Sequence, residues 1–228
     1  MAESRDRFIM ATGYDPSTNG IWADADVVDV LRVADTITLD WVHCAVSDGY
    51  LCHEIAWYIQ DPATGATSEA FEAFCAIGWT YTSNSRLESP FKMLRRVIDE
   101  KSLSGHKRPS ISDILSFLSV LYFWLGSHAQ SDSRDALIKG IKVVFTIQHM
   151  KYHRCRDAGE IERRALELLA AYEEYMVATV LSNGGEWLIP KHHWMWHIAS
   201  QYVASQGILY DCLIVARFHR RVKKADAS

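Results

Sequence analysis

The sequence has no Cys-x-x-Cys pair, no glycine-rich phosphate loop and no Gly-x-Ser-x-Gly turn. The first absence removes the usual zinc-ribbon and dithiol-redox spacings. The second removes nucleotide binding through a P-loop or a dinucleotide fingerprint, because Asn183-Gly-Gly185 reads as a helix stop. The third removes the nucleophile elbow of α/β-hydrolases. The five cysteines are odd in number and irregularly spaced, which fits a reducing compartment better than a disulfide framework. Long hydrophobic runs are missing too. The longest, Ile114–Leu125 (ILSFLSVLYFWL), holds two serines and falls short of a bilayer span, so it reads as a buried helix and no membrane partner is expected. The opening MAESRDRFIM has no apolar signal-peptide stretch, and the expected location is nuclear or cytoplasmic, not secreted. No internal repeat and no low-complexity tract is present.

What is there belongs to an ordinary folded protein. The 228 residues are 49% apolar and 23% charged, enough for one core or a little more. A net charge of −4 argues against polyanion binding by the chain as a whole. The charge is uneven, however. Residues 1–40 hold eight acids against three bases, while Arg217–Lys224 (RFHRRVKK) holds five bases in eight residues.

The periodicity predicts a mainly α protein. Residues 1–20 read as irregular, ending in a turn at Asp15–Gly20. Apolar residues recur at helical spacing from Asp24 to about Ile59, with Val27, Val30, Leu31 and Ala34 on one side and an interruption near Asp35. A short strand at Thr36–Asp40 is an alternative opening to the second part. Helices are expected at 68–79 with Ser68 as N-cap, at 90–101 with Pro90 in the first turn, and at 110–127 after a near capping box. Further helices are expected at 133–153, 158–181, 192–205 and 208–224. The 158–181 segment carries Ile161, Ala165, Leu168, Leu169, Tyr172, Met176 and Val180 on one stripe.

Four groups of residues invite a chemical reading. His193 and His197 are spaced i, i+4 like zinc ligands, as are His149 and His153, with Cys155 nearby; two helices could combine them into a His-rich metal site. Against this, Trp194 stands where the zincin pattern needs glutamate, and a chain with ten histidines yields such pairs by chance. Asp40 and His43 place a carboxylate and an imidazole three residues apart. That suits a metal-binding carboxylate with an orienting histidine, and equally an N-cap aspartate followed by a half-buried histidine. On a final helix, Arg217, Arg220, Arg221 and Lys224 would share one face, which suits phosphate contact or simple solvation near a helix C-terminus. Trp194 and Trp196 cannot share a helical face, so one is free to stack on a base or on a neighbouring helix.

Three stretches then occur in a telling order: DWVH (Asp40–His43), PKHHWMWHIASQ (Pro190–Gln201) and DCLIVARFHRRVK (Asp211–Lys223), with FIMATGYDPSTNGIWAD (Phe8–Asp24) ahead of them. In this combination the chain resembles the CACTA-type branch of cut-and-paste DDE transposases, in a transposon lineage expanded in unicellular eukaryotes. The resemblance spans nearly the whole chain. It implies an RNase H-like core interrupted by a helical insertion, in which three acids hold two Mg²⁺ ions for phosphoryl transfer on DNA.

The resemblance divides the chain into a partial RNase H-like segment (1–60), a helical insertion (61–185) and returning C-terminal helices (186–228). Asp40 and His43 match the family's Asp-x-x-His signature, with Asp40 as the remnant of a Mg²⁺ ligand. Lys191, His192, His193, His197 and Gln201 match the Lys-His-His…His…Gln element. Arg217, His219 and Lys223 match a Glu-Arg-x-His-x-x-x-Lys pattern whose acid position holds Ala216. Alanine binds no metal, and the family's first acid has no clear counterpart, since Asp24, Asp26 and Asp29 fall on an ordinary acidic helix face. The expectation is therefore a catalytically inactive, transposon-derived protein, mainly α with a small, incomplete RNase H-like remnant formed by the chain ends. Mg²⁺ would matter only in an active form. Residual DNA binding would run through Lys191, His192, His193, Arg217, His219, Arg220, Arg221 and Lys223, with His192 and His193 turned towards DNA phosphate or towards the acidic side of the core, and His197 turned inward beside Trp194. The alternatives are a helical protein-interaction module, self-associating or not, and the metal site of His149, His153, His193 and His197.

Overall fold

The computed structural model describes residues 39–46, 49–76, 88–100, 111–184 and 188–211. Among these residues the chain forms α-helices and one short 3₁₀ turn, with no strand. Of the strand weighed at Thr36–Asp40, only Leu39 and Asp40 are described, and Asp40 is a helix cap. The acidic region up to residue 38 lies outside the described residues.

Helices α1, α3, α6 and α7 begin where a side chain satisfies a free N–H group of the first turn. Helix α1 (Trp41–Ala45) is capped by Asp40, whose carboxylate accepts from the Val42 N–H at 2.9 Å. Helix α2 (Tyr50–Gln60) follows Gly49, where a β-carbon would collide with the Ala45 carbonyl; only glycine lets the two helices meet so closely. A 3₁₀ turn at Pro62–Thr64 is capped by Asp61, which also accepts from Ser133 Oγ at 2.8 Å and so ties the turn to a distant helix start. Helix α3 (Ser68–Cys75) is capped by Thr67, one residue before the expected Ser68, because the Thr67 hydroxyl accepts from the Ala70 N–H.

Helices α4 (Glu88–Glu100) and α5 (Ile111–Gly126) lie close to the expected ranges. Helix α6 (Asp132–Tyr152) is capped by Ser131, and α7 (Ala158–Asn183) by Asp157; α7 closes on Gly184 in the left-handed conformation. Helix α8 (Pro190–Ala204) starts two residues before the expected His192, with proline in its first turn. The expected helix from Ile208 is not seen in its first part, since Ile208–Asp211 are not helical; residues 212–228 lie outside the described residues.

Helices α6 and α7 form the central hairpin. Helix α2 packs on α6, α8 packs on α7, and α1 packs on α8. Residues from all three expected segments, such as Trp41, Leu118 and Tyr202, share one hydrophobic cluster. Trp124 of α5 sits at one end of it, meeting Tyr58 of α2 and Phe71 of α3 edge-on at 6.2 and 5.9 Å. On α7 the buried stripe is Ile161, Ala165, Leu168, Tyr172, Tyr175 and Thr179. Its alternating spacing of three and four residues carries it past Tyr175 and Thr179, leaving Met176 at the edge and Val180 exposed. No helix among the described residues is long and apolar enough to cross a membrane.

After α8 the chain folds back over the α6–α7 turn. Gly207 has φ +84° and a β-carbon there would stand 2.9 Å from the Cys155 carbonyl oxygen. An ion pair then fixes the segment: the Lys151 ammonium, near the end of α6, pairs with the Asp211 carboxylate.

Candidate functional site

The Asp-x-x-His signature and the His-rich element meet across the α1–α8 packing. Leu39 N–H donates to Gln201 Oε1 at 3.1 Å, joining positions 162 residues apart in sequence. Asp40 divides its carboxylate between two tasks. One oxygen caps α1, and the other stands 2.6 Å from His43 Nδ1. The His43 ring is half-exposed, so the pair sits at the rim of the seam. Behind it, burial pushes the Cys44 thiol up to about 12, aided by the Asp40 charge and opposed by Lys191, so this cysteine is no thiolate nucleophile.

Helix α8 sorts the histidines differently from the sequence-based expectation. His192, Met195, Ala199 and Tyr202 recur at the spacing of one helical face and are buried. His193 lies at the edge and His197 is exposed. His192 therefore points into the core, away from any phosphate, and His197 points outward. Trp196 packs edge-on against Tyr172 at 5.1 Å, so it stacks on the neighbouring helix. Lys191 is partly buried near Cys44.

His192 ends a chain of buried hydrogen bonds that the sequence pattern does not announce. Its Nδ1 lies 3.0 Å from the Ile189 nitrogen, whose N–H can only donate. The ring proton must then reside on Nε2, which donates to Tyr175 Oη at 2.9 Å. The Tyr175 hydroxyl donates in turn to Glu54 Oε1 at 3.0 Å, and Thr179 Oγ1 donates to the same oxygen at 2.8 Å. Tyr172 Oη donates to the His192 carbonyl at 2.6 Å, and Tyr50 Oη to the Gly140 carbonyl at 3.0 Å. The other Glu54 oxygen is buried without a hydrogen-bond partner. Burial raises the Glu54 carboxyl above its ordinary value, against the pull of its two hydroxyl donors. Burial also pushes the His192 imidazole down to about 4, which keeps it neutral. Glu54 was detectable in principle: Tyr50, Leu51, Glu54, Ile55 and Tyr58 form the buried stripe of α2, and one acid stands in phase with it.

His193 and His197 face each other with their Nε2 atoms 3.0 Å apart. Burial lowers the His193 pKa, and the neighbouring His197 adds to this. The His149 and His153 rings pack 4.4 Å apart at the end of α6. Among the described residues no group of three or more His, Cys, Asp or Glu side chains is arranged to hold a metal, so the two pairs do not combine into one site. Asp40 is the one acid that the resemblance places in the seam, and its oxygens meet the Val42 N–H and the His43 ring. Ala216, Arg217, His219, Arg220, Arg221 and Lys223 lie outside the described residues.

No family model, no curated protein and no solved structure matches the chain.

Proposed function

We propose that the protein is a transposon-derived DNA-binding protein that does not cut DNA itself. The observation that carries this reading is the hydrogen bond from Leu39 to Gln201, which brings the Asp40–His43 signature against the Pro190–Gln201 element. Two motifs that resemble parts of one transposase centre thus lie side by side, although the helical region stands between them in sequence. In this reading the pair is the remnant of an RNase H-like centre. Its acid set is incomplete: Ala216 occupies one acidic position, and Asp40 serves as a helix cap.

DNA contact would run through Lys191 and His193 on α8 and through Arg217, His219, Arg220, Arg221 and Lys223. Asp211, held by Lys151, precedes that basic run by six residues, so the positive charge follows closely on an anchored point of the fold. His192 has no part in such contact, because its ring belongs to the core.

The test is binding of the purified full chain to duplex DNA at two salt concentrations, with and without Mg²⁺, while following strand integrity. Salt-sensitive binding without cleavage is expected. Replacing Arg217, Arg220 and Arg221 by glutamine should weaken binding and reduce the slope of log affinity against log salt by about 0.9 for each phosphate no longer neutralised. Unchanged affinity and slope in the triple variant would refute the role of the basic run, and Mg²⁺-dependent cutting would refute the inactive centre.

A second reading, a helical interaction module, is favoured by the outer face of α7. Leu166 and Leu181 are 65% and 70% exposed, and Val177 lies between them at 59%. Ala170 and Glu173 complete a line at helical spacing. Sedimentation over a hundredfold concentration range decides it: a strict monomer whose behaviour is unaltered by Leu166→Glu and Leu181→Glu removes self-association.

A further inference from the structure

On the outer side of α8 two imidazoles are already arranged as a chelate. His193 and His197 stand one helical turn apart, and their rings meet edge-on with centroids 4.8 Å apart. The two Nε2 atoms are 3.0 Å from each other. A tetrahedral Zn²⁺ ion bound by two imidazoles at about 2.0–2.1 Å holds their nitrogens roughly 3.3 Å apart. The rings therefore need to open by only a few tenths of an ångström. His197 is exposed and His193 lies at the edge of the packed surface, so a rotation of side chains supplies this without moving the helix. In the apo chain one ring must donate to the other, which leaves a lone pair facing a proton; a cation lets both rings present lone pairs to the same point.

The chain carries a second His-x-x-x-His pair that serves as an internal comparison. His149 lies on α6, but His153 is its C-cap and has left helical geometry, with φ −103° and ψ 65°. Those ring centroids lie 4.4 Å apart at an interplanar angle of 39°, a tilted packing and not the edge-on one of His193 and His197. Identical spacing in sequence thus gives two different ring arrangements.

We propose that His193 and His197 bind one divalent transition-metal ion of the Zn²⁺ class per chain, with solvent completing the coordination. Imidazole nitrogen suits Zn²⁺, Cu²⁺ and Ni²⁺ and suits Mg²⁺ poorly, so this site is chemically distinct from any carboxylate-held Mg²⁺. It shares His193 with the proposed DNA contacts but does not rest on that reading, since it requires only the two rings.

The experiment is calorimetric titration of the tag-free, EDTA-stripped full chain with ZnCl₂ in a non-coordinating buffer, repeated with CuCl₂ while following visible absorption. One saturable equivalent is expected for each metal, and MgCl₂ should give no heat of binding. His193→Asn and His197→Asn should each lower affinity at least about tenfold, because the second nitrogen is an intramolecular ligand whose advantage is lost with it. The double variant His149→Asn/His153→Asn should bind as the parent does. Far-UV circular dichroism of the exposed-site variant His197→Asn should match the parent, which separates lost binding from lost fold. Two equivalents of Zn²⁺, no saturable binding below about 1 mM, or full affinity in His197→Asn overturns the proposal.

Discussion

Replacing Tyr175 by phenylalanine removes one oxygen atom and keeps the ring in place against Tyr50, 4.7 Å away between centroids. That oxygen does two jobs at once, accepting from His192 Nε2 and donating to Glu54 Oε1. Its loss leaves the buried Nε2–H without an acceptor, at about 1–3 kcal/mol for an unsatisfied group. It also takes one of two hydroxyl donors from an acid whose second oxygen already has no partner. A hydrogen bond to a charged group contributes about 1.5–3 kcal/mol, though the two losses overlap because they share one atom. We expect a net destabilisation on the order of 2–4 kcal/mol. Urea unfolding followed by circular dichroism should show a lower midpoint with an unchanged slope. Tyr172→Phe supplies the scale. Its hydroxyl serves only the His192 carbonyl, so it should cost about 1 kcal/mol. A loss below about 0.5 kcal/mol for Tyr175→Phe, or a larger loss for Tyr172→Phe, would refute the hydrogen-bond chain as described.

Glu54→Gln tests the same chain through pH. The Glu54 carboxyl is raised by burial, so above the ordinary glutamate value the unfolded chain gives up its proton first and stability declines as pH rises, until the folded-state value is passed. Stability measured from pH 4 to 8 should fall less in the glutamine variant; parallel curves would show that Glu54 does not titrate across folding. Gly140→Val should destabilise by about 1–3 kcal/mol, because even a β-carbon at Gly140 meets the Tyr175 ring at 3.2 Å and the Tyr50 ring at 3.4 Å; an unchanged melting temperature would mean that α6 moves away freely. Asp40→Ala should cost about 1 kcal/mol through the lost α1 cap, and Asp40→Ser should restore most of it without restoring the hydrogen bond to His43. Equal losses in both variants would assign the effect to the His43 pair instead of the cap.

The helices are legible in sequence to the extent that their ends carry local signals. Asp157 and Gly184 bracket α7 within two residues of the expected range, and Ser131 sets the start of α6. Thr67 and Ser68 are adjacent capping residues, and nothing local decides between them. Phase is harder than extent. On α7 the expected stripe mixes two neighbouring ones, with Met176 and Val180 in place of Tyr175 and Thr179. On α8, tryptophan, histidine and methionine occupy so many positions that no one face stands out, so the expectation turns His197 inward and leaves His192 between DNA phosphate and the acidic side of the core. The meeting of Leu39 with Gln201 cannot be read from spacing at all, because tertiary packing decides it. Glu54 leaves a trace, an acid in an apolar stripe, yet its partners lie on helices far away in the chain.

The α1–α8 seam has a kinetic meaning. The α6–α7 hairpin joins two long helices through a turn of a few residues, so little chain entropy opposes its formation. The seam instead closes a loop of 162 residues with a five-residue helix, with the Leu39–Gln201 hydrogen bond at its edge. It is expected to form after the hairpin and to open before it. Hydrogen exchange should therefore release the Leu39 amide far sooner than the amides of Val144 or Leu168. The half of the candidate site that carries Asp40 and His43 would then detach as a unit, exposing the apolar side of α8 while the hairpin stays intact.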